Sequence, residues 1–168
     1  MSAPGGEPED RSLRPETSEG LGRRQRGPSI TAMYETFEHT ADLGLRARAP
    51  DLNTLFAEAG RALFAAIADD LDAVEPRQQV EVQLAGDDRE LLLFDWLKEL
   101  LYRFDAEHLL LSRFEVRVDE SGLRGTARGE PLDPARHAPG HEVKAITYHG
   151  LRVEREGGGW LAEVIVDI

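Results

Sequence analysis

Three groups of residues carry side chains from which chemistry could be built. The first is the run Glu38–His39–Thr40–Ala41–Asp42, an acid, an imidazole and a second acid around a turn. The second is Asp167–Ile168, where an alternating apolar segment ends on a side-chain carboxylate followed by a main-chain one. The third is the irregular segment 129–143 with the residues after it, which holds Asp133, Arg136, His137, His141, Glu142, Lys144, Thr147, Tyr148 and His149. Carboxylates suit a hard divalent cation, which gathers several oxygens in one small shell. Taken singly, each signal is weak. A turn aspartate more often bonds its own backbone than a metal, and an acid at a strand end is more often simply hydrated. His137 and His141 have the spacing of a helical metal pair, but Pro139 and Gly140 lie between them and deny the helix. Loops this polar are frequent functional sites, yet satisfied structural hydrogen bonds account for the same residues equally well.

Composition narrows the chemistry. The chain has 168 residues and no cysteine, which removes disulfides, thiolate metal sites and cysteine nucleophiles together. A metal would have to be held by oxygen or imidazole, so calcium, magnesium and manganese are the expected cations. The formal net charge is −12. Residues 1–32 hold five acids and five arginines, so the whole deficit falls on residues 33–168. A domain that acidic is repelled by phosphate backbones, and strong direct nucleic-acid binding is not expected. No phosphate-binding glycine loop, nucleophile elbow or HExxH sequence occurs. No apolar run is long enough for a membrane span, and a polar, acidic start argues against a secretory signal. A cytoplasmic location fits, while the oligomeric state stays open.

The elements that must position these groups follow from periodicity. Residues 1–32 are rich in Gly, Pro, Ser, Glu and Arg and read as a disordered extension. Residues 33–168 read as one domain. Tyr34–Thr40 reads as a short strand, followed by alternating Leu43, Leu45 and Ala47. Asp51 is a good cap for a helix over Leu52–Asp69, whose apolar residues recur at helical spacing. Val80, Val82 and Leu84 alternate as a strand, and Arg89–Phe104 has the periodicity of a second helix. Phe114–Val118 and Leu123–Ala127 form a hairpin around Glu120–Gly122. Val143–Glu154 reads as one strand, and Trp160–Val166 as the last. Trp96 and Phe94 read as core or interface apolars. Two helices among hairpins predict an α+β domain with a largely antiparallel sheet.

Taken together, these segments resemble the archease family. The similar stretches are Tyr34–Gly44 (YETFEHTADLG), Leu91–Phe104, Gly129–Glu130, Arg136–His137, Val143–His149 (VKAITYH) and Val164–Ile168 (VIVDI). They run in family order across residues 34–168, with residues 1–32 outside. Leu43 follows Asp42 where the family commonly has a β-branched residue. The resemblance implies a non-enzymatic cofactor of an RtcB-type RNA ligase, which promotes ligase guanylylation and multiple turnover in tRNA splicing or RNA repair. It also implies a divalent-cation site, with calcium preferred over magnesium or manganese, on Asp42, Asp167 and the end residue Ile168. His39, His137, Lys144 and His149 are expected to line the face turned to the partner. Two other functions stay open at this level. One is a small metal-dependent hydrolase or nuclease with His137 or His149 as base; the other is a chaperone or adaptor for other nucleic-acid-modifying enzymes.

Overall fold

The computed structural model describes residues 30–168, so the extension expected over residues 1–32 lies almost entirely outside them. Two antiparallel sheets enclose a layer of two helices. Strands β1 (Met33–His39) and β2 (Asp42–Ala49) form a hairpin whose two-residue turn places Thr40 in the left-handed region, at φ 55°. Helix α1 (Leu52–Ile67) follows, capped by Asp51, whose side chain accepts from the Thr54 N–H at 2.8 Å. Strand β3 (Gln78–Ala85) leads to α2 (Arg89–Glu107), capped by Asp88 and ended by His108 in the left-handed conformation. A long hairpin, β4 (Leu109–Asp119) and β5 (Gly122–Pro131), precedes β6 (Ala145–Ile146), β7 (Arg152–Glu156) and β8 (Gly159–Asp167).

The larger sheet has the order β1-β2-β8-β6, with β7 on the same edge of β8 as β6; the smaller has the order β3-β5-β4. The α+β class and the antiparallel pairing are as the sequence predicts, but the sheet is divided in two. The physical reason lies in α1. It buries Leu55, Phe56, Ala59, Leu63, Phe64, Ala66 and Ile67 on nearly all its faces, which one sheet cannot cover. Its residues therefore pack against β2 on one side and β4 on the other. Trp96 on α2 is fully buried in the same core and donates its indole N–H to the Phe56 carbonyl at 3.0 Å.

Two elements differ from expectation. The strand expected over Val143–Glu154 is broken by 147–151. Thr147 folds back onto β8, with its N–H and hydroxyl both donating to the Ile165 carbonyl, and Gly150 takes a φ of 64°. Strand β5 continues through Gly129–Pro131, residues expected to be irregular, because β4 begins at Leu109 and offers them a partner. That extension is bought with a bulge at Ser112, whose hydroxyl donates to the Val74 carbonyl.

Gly125 on β5 tests the tightness of this core. A β-carbon there would collide with the six-membered ring of Trp96, which is walled in on every side. Gly125→Ala is expected to lower stability by about 1–3 kcal/mol through overpacking. Gly158→Ala, in a turn with open space around it, is expected to stay within about 0.5 kcal/mol. Urea unfolding of the two variants measures both.

Candidate functional site

The β1–β2 hairpin and the end of β8 meet at one edge of the larger sheet. His39 pairs with Asp42 across the hairpin. The β2–β8 register runs through Leu43↔Val166, and one step further it sets Asp42 beside Asp167. On the other side of β8, Ala145 pairs with Asp167, and the Lys144 N–H donates to the Asp167 carbonyl at 2.8 Å. A single row thus crosses four strands: His39, Asp42, Asp167 and Ala145. Side chains directly opposite in an antiparallel pair have Cβ atoms about 4.5–5.5 Å apart, so the two carboxylates share one small region of the sheet's outer face.

The rest of that face explains why the end is well placed. Alternation turns Leu43, Leu45 and Ala47 into the core and leaves Asp42, Gly44, Arg46 and Arg48 outside. Gly44 lies directly under the ring of Phe37, where any β-carbon would clash, and the Arg46 guanidinium sits over the same ring at 4.6 Å. This fixes β1 against β2 just before the turn. The loop 147–151 brings His149 to His39, with ring centroids 5.3 Å apart. Tyr148, largely exposed, stacks on Phe94 of α2 at 3.8 Å between ring centroids.

Asp42, Asp167, Ile168, His39, Lys144 and His149 are therefore brought to one end of the sheet. Asp167 and Lys144 are exposed there, Asp42 is half-buried, and Ile168 packs its side chain onto the core. The Nδ1 atom of His39 is buried without a hydrogen-bond partner, an orphaned polar atom of the kind a bound group satisfies. The donor set is mostly oxygen, which fits a hard cation. Among the described residues, no three His, Asp or Glu side chains converge as a complete metal group. Asp42 and Asp167 stand there as a pair of carboxylates, with Ile168 directly after Asp167.

His137, by contrast, is buried and engaged at both nitrogens, and so it does not line an exposed face. Its Nδ1 accepts the Asp133 N–H at 2.9 Å, which assigns the ring proton to Nε2, 2.9 Å from Glu130 Oε1. Glu130 also accepts from Arg136 at 2.7 Å and from the Glu75 N–H at 3.0 Å. This network ties the loop after β5 to the segment before β3. The sequence offers His137 as an isolated polar residue; the Glu130 that satisfies it lies in a stretch with no visible strand alternation.

The acid-ended, two-sheet α+β domain defines a class of small protein with an open carboxylate pair at one end of its larger sheet. The Archease protein family model matches residues 34–168. A "Protein archease" of Methanopyrus kandleri is 49% identical over 139 residues, covering 80% of this chain and 99% of its own. The solution structure of a Methanobacterium thermoautotrophicum protein is 39% identical, with a TM-score of 0.71, covering 80% of this chain and 98% of its own. A crystal structure of an archease from Thermotoga maritima, described as a possible chaperone, has a TM-score of 0.56 at 21% identity, with 83% and 100% covered; it shares the fold. The chain belongs to the archease family.

The Glu130 network carries a pH signature. The Arg136 guanidinium, with the Glu75 N–H and His137 helping against burial, lowers the Glu130 pKa from 4.5 to about 2. Its contribution to stability is therefore complete above pH 4.5 and is lost as the pH falls towards about 2. Glu130→Gln is expected to be less stable than the parent at neutral pH, with the gap closing between pH 4.5 and about 2. Urea midpoints across that range check this; a gap independent of pH overturns it.

Proposed function

We propose that this protein is an accessory factor of an RtcB-type RNA ligase, itself without catalytic activity. In this reading it promotes guanylylation and multiple turnover of the ligase in tRNA splicing or RNA repair, in the cytoplasm. The observation that carries the reading is the meeting of Asp42 with Asp167, residues from the two ends of the family-matched region, at an open sheet end. An enclosed catalytic pocket would surround such a pair. Here Asp167, Lys144 and His149 face outward, as suits contact with a second macromolecule. The description of a Thermotoga maritima relative as a possible chaperone agrees with a protein partner.

Asp42, Asp167 and the Ile168 main-chain carboxylate would hold a divalent cation, with calcium favoured over magnesium and manganese. When bound, such a cation supplies positive charge and open coordination positions for oxygens of a partner or nucleotide. The chain's own residues do the remainder. The β2–β8 ladder fixes the spacing of the two aspartates, and the Phe37–Gly44 contact holds the hairpin that carries His39. The net charge of −12 steers the domain to a basic partner surface.

The loss of even an outer-shell partner typically costs about 10–100-fold in metal affinity, and loss of a ligand costs no less. Asp42→Ala and Asp167→Ala are each expected to reduce ligase turnovers by about tenfold or more when RNA is in excess. Calcium binding measured calorimetrically should fall in parallel. Full turnover by both variants overturns the proposal. A tag fused after Ile168 is expected to impair activity, and a fully active tagged protein removes the main-chain ligand. Release of product from labelled RNA by the protein alone, with magnesium or manganese, would instead establish an enzyme.

A further inference from the structure

The distribution of arginines points to a second surface. Arg46, Arg48, Arg61, Arg77, Arg103, Arg128, Arg136 and Arg152 each meet a carboxylate. Arg89 and Arg155 lie over Trp160 at 4.8 and 4.6 Å. Among the described residues, that leaves Arg113, Arg117 and Arg124 with neither a carboxylate at ion-pair distance nor a ring. In a chain with 32 acids against 20 bases, unpaired arginines are not forced by shortage. All three stand on one face of the smaller sheet.

The register explains how. Alternation turns Phe114, Val116 and Val118 towards the helices and Arg113, Glu115 and Arg117 outward; on β5 it turns Arg124, Thr126 and Arg128 outward. The bulge at Ser112 and the turn at Glu120–Ser121 then set Arg113 opposite Arg128, and Arg117 opposite Arg124. Like charges directly opposite each other in a sheet are destabilising. Two such pairs therefore stand about 13 Å apart along the strands, four residues at about 3.3 Å each. Arg117 and Arg124 line a shallow trough of about 780 Å³ on the outside of the sheet, with Glu81, Gln83, Glu115 and Thr126, and Arg113 and Arg128 stand further along the same strands.

We infer that this face binds the phosphate backbone of a single RNA strand. Paired guanidiniums match phosphate oxygens bidentately, and two rows spaced along the strands suit an extended polyanion better than one isolated anion. Thr126 and Gln83 add neutral donors and acceptors between and beside the rows. The outward positions of the three strands carry no aromatic residue, so bases are not stacked and recognition is indifferent to sequence. Glu81, Glu115 and Asp119 share the face, Glu115 being engaged by Arg128 at 3.3 Å. They and the overall charge keep the contact weak, at dissociation constants of about 10⁻⁴–10⁻⁶ M. The contact needs neither the cation nor the ligase, and it stands or falls separately from the proposed function.

The test is fluorescence anisotropy of the full-length protein with a labelled single-stranded oligoribonucleotide, titrated across salt concentrations. With four phosphate contacts at about −0.7 each, log K is expected to fall against log salt with a slope of about −2.8. Arg117→Glu and Arg124→Glu, each alone, are expected to weaken binding at least about fivefold and flatten the slope. Lys98→Glu makes the same change of net charge on the exposed face of α2, and is expected to change little. All three side chains are exposed on the protein's exterior, and circular dichroism checks the fold of each variant. No binding at low salt overturns the inference, as does an equal loss in all three variants, which marks a net-charge effect. Capture of a poly-glutamate peptide in preference to RNA also overturns it, assigning the face to acidic protein.

Discussion

The pairing of β2 with β8 is the constraint on which the rest of the molecule depends. Its seven paired positions, Leu43↔Val166 to Ala49↔Trp160, join the first hairpin to the last strand. Strand side chains alternate, so a slip of one residue would exchange the two faces completely. Leu43, Leu45, Val164 and Val166 would leave the core, and Asp42 would enter it. Core burial thus enforces the register, and the register enforces the meeting of Asp42 with Asp167. The candidate site has no separate scaffold; it is the last rung of a ladder held by apolar packing on α1.

The two sheets differ in what they leave outside. The larger sheet fills its outer face with opposite charges and with Phe37 over Gly44, then ends in carboxylates and imidazoles. The smaller sheet sets arginine against arginine. The helices between them are almost wholly buried where they touch the sheets, so neither sheet can shift without disturbing the packing of Trp96, Phe56 and Phe64. A contact made on one outer face is therefore made on the same rigid body as a contact at the sheet end.

Much of the local structure was legible from sequence. The 3.6-residue spacing of Leu55, Phe56, Ala59, Leu63 and Phe64 identifies α1, and Asp51 caps it as its chemistry demands. The hairpin around Glu120–Gly122 and the final strand follow from alternation. Periodicity reports which face of a strand is apolar, but it does not name the neighbour, so the division into two sheets was not readable. The break at 147–151 was hidden because Thr147 and Tyr148 are good strand residues; the loop exists through bonds to Ile165, distant in sequence. His137 shows the same limit, since a partner at Glu130 cannot be inferred from a histidine in a proline-rich loop. For Asp42 and Asp167 the local chemistry was ambiguous, and the family resemblance identified them before the ladder placed them side by side.

One row on the larger sheet has a further consequence. Glu35, Arg46, Glu163 and Arg152 alternate in sign across β1, β2, β8 and β7, with Arg46 bridging Glu35 and Glu163. Burial pushes the Glu163 pKa up, but Arg46 and Arg152 outweigh it and hold the group below the ordinary value. The row runs perpendicular to the strands, as a cross-brace does, and joins both edges of the sheet through its centre. The hydration free energy that such charges forgo becomes less favourable on warming, whereas apolar stabilisation per unit area levels off. Heating therefore shifts the burden of holding these four strands from the buried face to the solvent-facing one, and the sheet that ends in the acid pair is the one equipped for that change.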